Sequence, residues 1–119
     1  MQKENILYCK SYAFAIRTVN LSRYLNDEKR EFILSKQVLR SGTAICALIS
    51  EAEFAQSDAD FINKLMIGLK EANETKYWIN LLHDTNYLSS NMYASLIQDI
   101  KEIIRLLVSI VKKLKSKVS

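Results

Sequence analysis

The side chains of this sequence that could do chemistry are few, and their spacing argues against most of it. There is a single histidine, His83, and the residue three positions before it is Asn80. A carboxylate di-iron centre in a helical bundle wants Glu-x-x-His twice, with two further inward glutamates. One chain cannot build that site in its usual form. His83 reads instead as a polar residue near a helix C-terminus, where positive charge is favoured. The two cysteines, Cys9 and Cys46, lie far apart with no CxxC spacing, which points to reduced side chains rather than a redox pair. Gly42 and Gly68 are the only glycines, too isolated for a phosphate-cradling loop.

The acids come nearer to a catalytic arrangement. Glu51 with Glu53, and Glu71 with Glu74, are close pairs. Glu71 and Glu74 sit one helical turn apart and have the spacing of a general acid and base. Structural ion pairing accounts for such pairs as readily as catalysis does, and Arg40 is the expected partner. No catalytic residue, metal or cofactor is expected.

The remaining signal is positive charge. The chain has 119 residues and a net charge of +4, unevenly spread. Residues 1–50 hold eight basic and four acidic side chains, residues 51–100 three and eight, and residues 101–119 six and one. The basic tail is Lys101, Arg105, Lys112, Lys113, Lys115 and Lys117. Such a stripe can neutralise phosphates without reading bases, so these six are the candidate nucleic-acid contacts. Lysine-rich helix ends also complement the helix dipole. A membrane-surface helix ranks last, because the apolar arc is needed for the core.

Four helices must position these groups. At 49% apolar and 25% charged, with no proline, the composition is that of one ordered domain. The periodicity predicts helices over 11–25, 33–55, 58–83 and 91–115, joined by short turns that favour an antiparallel up-down-up-down bundle. Ser11 is the expected N-cap of the first helix, and Ser57 or Asp58 that of the third. In the first helix Tyr12, Ile16 and Val19 share one side, and Phe14, Leu21 and Leu25 the opposite one. That helix is expected to be buried on two faces. In the last, Leu96, Ile97, Ile100, Ile103, Ile104, Leu106, Leu107, Val108, Ile110, Val111 and Leu114 cover roughly 200°, against the ~100° stripe of an ordinary surface helix. More apolar surface is present than a lone bundle can hide, so copies of the chain are expected to cover the rest.

Gly42 interrupts the second helix at a cost of about 1 kcal/mol against alanine. With Ser41, Thr43, Ala44 and Ala47 it forms a small-residue patch, read as a helix crossing. Arg40 and Glu51 flank Ala44 and Ala47 on one side of that helix, with Glu71 and Trp78 offered by the third. This seam is expected to be buried, within the bundle or between subunits.

No apolar run reaches the eighteen or so residues needed to span a bilayer, since Leu96 to Leu114 is interrupted by six charges. The amino terminus lacks an apolar segment followed by a small-residue cleavage site. A cytoplasmic protein with no membrane association is expected.

Taken together, Ser35-Lys36-Gln37-Val38-Leu39-Arg40-Ser41-Gly42-Thr43-Ala44-Ile45, Glu51-Ala52-Glu53 and Ala55-Gln56-Ser57 resemble a motif of the bacterial 23S rRNA intervening-sequence proteins. Phe61-Ile62-Asn63-Lys64-Leu65, Leu69-Lys70-Glu71-Ala72 and Glu74-Thr75-Lys76-Tyr77-Trp78-Ile79 are similar to that family's second motif, and Lys10-Ser11 with Phe14-Ala15 also fits. The resemblance covers nearly the whole chain. It implies an antiparallel four-helix bundle assembled as a homopentamer, with no enzymatic activity. A distant relative, the accessory variability protein of diversity-generating retroelements, works with a reverse transcriptase and binds nucleic acid through a basic pentameric barrel. Arg40, Glu51, Glu71, Glu74 and Trp78 match the family pattern and read as structural or interface residues. Ala44, Cys46 and Leu48 depart from it, standing where relatives commonly carry serine, glycine and asparagine.

Two functions remain in competition. Five copies at +4 each would carry +20, enough to hold RNA or DNA by counterion release. The alternative is a structural or protein-interaction module with no nucleic-acid role.

Overall fold

Leu7 is fully buried, and that one residue moves the start of the first helix well upstream of Ser11. The computed structural model describes the backbone of residues 2–118 and the side chains of residues 5–117. Helix α1 spans Gln2–Asp27, α2 Leu34–Ala52, α3 Asp58–Asp84 and α4 Ser90–Val118, and no strand occurs among the described residues. Ser11 is therefore not an N-cap but a mid-helix residue, completely buried, whose Oγ has no hydrogen-bond partner. The error came from a polar amino-terminal run that hid the continuation of the apolar stripe through Leu7.

Local chemistry ends each helix. After α1 the chain turns through Arg30, held in the left-handed region at φ 54°. The Glu31 carboxylate then takes the place of a cap for α2, accepting from the Ser35 N–H at 2.8 Å and the Ile33 N–H at 3.3 Å. Helix α2 stops at Ala52, three residues short of the expected end, because Glu53, Phe54 and Ala55 turn back onto the carbonyls of Ser50, Glu51 and Ala52. Ser57 caps α3 as expected, accepting from the Asp60 N–H at 3.1 Å, and Asp60 returns the favour at the Gln56 N–H at 3.2 Å. Asp58 and Asp60 in the first turn suit the positive end of the helix dipole.

Each helix packs on its chain neighbours, and α1 closes the ring against α4, giving a rod of 47 × 22 × 20 Å. This is the expected four-helix bundle. The core is drawn from one stripe per helix: Leu7, Phe14, Leu21 and Leu25; Val38, Ile45, Ile49 and Ala52; Leu65, Ala72, Ile79 and Leu82; Leu96, Ile100, Ile103 and Leu107. Polar residues in the core appear where helices approach closely. The Thr75 hydroxyl lies 2.9 Å from Ser41 Oγ across the α2–α3 contact, and 2.8 Å from the Glu71 carbonyl. Gly42 faces Thr18 of α1 so tightly that a Cβ there would lie 2.4 Å from Thr18 Cγ2. Ser41 and Gly42 of the small-residue patch thus mark a crossing point, while Thr43 and Ala44 are only half-buried and Ala47 is exposed.

One expectation fails within the chain. Phe14, Leu21 and Leu25 are buried, but on the opposite side of α1 Tyr12 is 55% and Ile16 51% exposed, and Val19 is only half-buried. A four-membered ring gives each helix two neighbours, which leaves the outer side of α1 uncovered. In α4 the wide arc is used more fully: Ile97, Ile104, Leu106 and Leu114 pack partly against the core, while Val108 stays exposed.

Candidate functional site

Three surfaces carry the groups singled out by sequence. The first is an ion-pair cluster joining α2 to α3. Arg40, on the outer side of α2, reaches Glu71 at 3.2 Å and also bonds Glu74, while the Trp78 indole N–H donates to Glu74 Oε2 at 3.0 Å. The spacing is simple helix geometry: Glu71, Glu74 and Trp78 sit three and four residues apart, so one face of α3 presents all three. The Trp78 bond and the Arg40 guanidinium hold the Glu74 carboxyl below the usual carboxylate range, against a smaller opposing effect of burial. Glu74 in turn pushes the Arg40 guanidinium upward, with Glu71 assisting. The lowered Glu74 carboxyl is therefore committed to a cation, the opposite of one poised to exchange protons.

The wider seam is not buried inside the bundle. The Arg40 side chain is 50% exposed and that of Glu51 56% exposed, with Ala47 exposed and Ala44 half-buried between them. Glu51 stands apart from the cluster and pairs with Lys64 at 3.4 Å. Sequence reasoning missed Lys64. The signal was present, since the turn between α2 and α3 is short and brings the end of one helix beside the start of the next.

The second surface is the basic strip of α4. Lys101, Arg105, Lys112, Lys113, Lys115 and Lys117 are all exposed. At about 100° per residue, Lys101, Arg105, Lys112 and Lys115 fall within an arc of roughly 80°, while Lys113 and Lys117 turn off that line. The only acids of α4, Asp99 and Glu102, are taken by α1. Arg17 bonds Asp99 at 2.7 Å and Lys10 bonds Glu102 at 2.9 Å. Among the described residues no carboxylate pairs with the six basic side chains. The two ion pairs that fasten α1 to α4 thus also leave the outward strip unneutralised.

The third surface is the uncovered side of α1. Tyr8 and Tyr12 stack with ring centroids 6.1 Å apart, and Ile16 continues the row at the same spacing. Cys9 is exposed beside them, and Cys46 is buried with its thiol pushed upward by burial; the two are not joined. Among the described residues no group of three His, Cys, Asp or Glu side chains gathers to hold a metal ion. No helix there is long and apolar enough to cross a membrane. Near His83, the Tyr93 ring stacks at 4.1 Å and its hydroxyl donates to Asn80 at 2.6 Å. These contacts tie α4 to α3.

The sequence profile of the 23S rRNA-intervening sequence protein family matches residues 3–109. The chain belongs to that family. A crystal structure of an S23 ribosomal protein family member from Bacteroides thetaiotaomicron is similar throughout, at 56% identity and a TM-score of 0.91. The match covers 92% of this chain and 98% of that one. Curated proteins provide no match. The Bacteroides relative is a protein of unknown function, and neither comparison attaches a reaction to the 23S rRNA-intervening sequence fold.

Proposed function

We propose that this 23S rRNA-intervening sequence protein is a non-enzymatic, cytoplasmic, self-assembling bundle whose basic surface holds RNA or DNA without reading its sequence. The observation that carries the assembly is the uncovered row Tyr8, Tyr12 and Ile16, 37%, 55% and 51% exposed in the single chain. Contiguous apolar surface of this kind marks association sites in soluble proteins, and a second copy is the partner always present. The family resemblance supports five copies. The unneutralised strip on α4 then supports polyanion binding, repeated once per protomer.

Light scattering on the purified protein tests the assembly, with a mass of five times 13.7 kDa expected. The ratio of absorbance at the nucleic-acid and protein maxima in the same run reports bound polyanion. A stable monomer in dilute solution defeats the assembly, and a protein that ignores labelled RNA and DNA at low salt defeats the binding. A second reading, a scaffold for another protein, is favoured by Phe54, which stands 85% exposed in the α2–α3 turn. It predicts a specific co-purifying protein and indifference to nucleic acid.

A further inference from the structure

We infer that the α4 strip engages the phosphate ridge of a double helix, in preference to a single strand; this rests on the polyanion reading above. Two features of the strip point to the duplex. The first is rigidity. Lys101, Arg105, Lys112 and Lys115 are spread along fourteen residues of one unbroken helix, about 21 Å at 1.5 Å per residue. A fixed row of cations matches a fixed row of phosphates, whereas a flexible strand must be ordered before it can follow the row.

The second feature is the absence of a stacking platform. Proteins that hold single strands combine basic grooves with aromatic faces on which bases stack. Helix α4 contains one aromatic residue, Tyr93, and its ring is already stacked on His83 with its hydroxyl bonded to Asn80. The exposed tyrosines Tyr8, Tyr12 and Tyr77 belong to α1 and α3. Between the cations lies Val108, exposed and unable to stack. The strip therefore offers phosphate contacts alone, which are the contacts a closed duplex presents without opening its base pairs.

Fluorescence anisotropy with the full-length protein tests this, using a 20-residue RNA duplex, the DNA duplex of the same sequence, and each single strand. At low salt the duplexes are expected to bind at least about tenfold more tightly than the strands, because each contact releases about 0.9 counterion from a duplex against about 0.7 from a strand and four contacts compound the difference. Four phosphate contacts give log K a slope near about −3.6 against log salt for each engaged protomer, and Lys112→Ala lowers that slope by about 0.9. Equal RNA and DNA duplex affinities mean backbone charge alone is read. A preference for the RNA duplex over the DNA duplex would place the 2′-hydroxyl among the contacts and overturn the phosphate-only basis of the assignment. Single strands binding as tightly as duplexes overturn the duplex assignment and leave polyanion binding standing. Absence of binding by every probe overturns the polyanion reading itself.

Discussion

Thr18 of α1 and Gly42 of α2 touch where no side chain could intervene: a Cβ on Gly42 would lie 2.4 Å from Thr18 Cγ2 and 2.7 Å from Thr18 Oγ1. Thr18 cannot easily swing away, because its hydroxyl donates to the Phe14 carbonyl at 2.6 Å and the side chain is buried. Gly42→Ala is expected to destabilise by about 1–3 kcal/mol, the usual penalty of an overpacked contact. Thr18→Ala in the same chain should recover most of that loss. The other glycine gives the opposite sign. A Cβ at Gly68 would meet Leu48 Cβ at an ordinary 3.8 Å, so Gly68→Ala should stabilise by up to about 1 kcal/mol through helix propensity. Denaturant midpoints at one protein concentration would show both; equal effects at the two glycines would refute the crossing.

The Glu74 carboxyl is lowered in the folded chain, first by the Trp78 indole and then by Arg40. A depressed folded pKa contributes stability above the unfolded value, near 4.5, and loses it as pH falls through the folded value. Below about pH 5 the melting temperature of the parent protein should therefore fall faster than that of Glu74→Gln. The difference is expected to be small, at most about 1 kcal/mol, because Arg40 is half exposed. Parallel acid limbs in the two proteins would remove this cluster from the stability account.

Ser11 presents the reverse case, a hydroxyl removed from water with nothing to bond. A mid-helix serine ordinarily bonds the carbonyl four residues back, and here it does not. Ser11→Ala should be neutral or stabilising, by up to about 1–2 kcal/mol, since the desolvation of the hydroxyl is no longer suffered. A clear loss of stability in equilibrium unfolding would mean that the hydroxyl has a partner in solution.

The open side of α1 yields a prediction about assembly. Tyr12→Glu with Ile16→Glu places two charges on a row that the bundle itself does not bury. Helicity by circular dichroism should be unchanged, while the scattering mass falls to that of one chain and melting loses its dependence on concentration. An unchanged mass would move the oligomer contact to another face.

Much of this fold was legible in the sequence, and the failures have local causes. Ser57, followed by Asp58 and an apolar stripe from Phe61, announced α3 correctly because capping is a short-range hydrogen bond. Ser11 has the same residue type but sits inside α1, where Leu7 anchors the preceding turns in the core. The basic strip could be read as a run of charge. Its freedom from neutralisation could not, because Arg17 and Lys10 come from a helix more than 80 residues away to occupy Asp99 and Glu102.

The sequence by itself determined four amphipathic helices, their order, and the small-residue patch that lets two of them meet. Those properties follow from spacing within a single helix, where residues three and four apart share a face. Only the tertiary structure decided that Thr18 meets Gly42, that Glu51 pairs with Lys64, and that Tyr12 and Ile16 face outward. These depend on how far one rod slides along another and how it rotates about its axis. Packing of the whole core sets both quantities, and no local pattern encodes them.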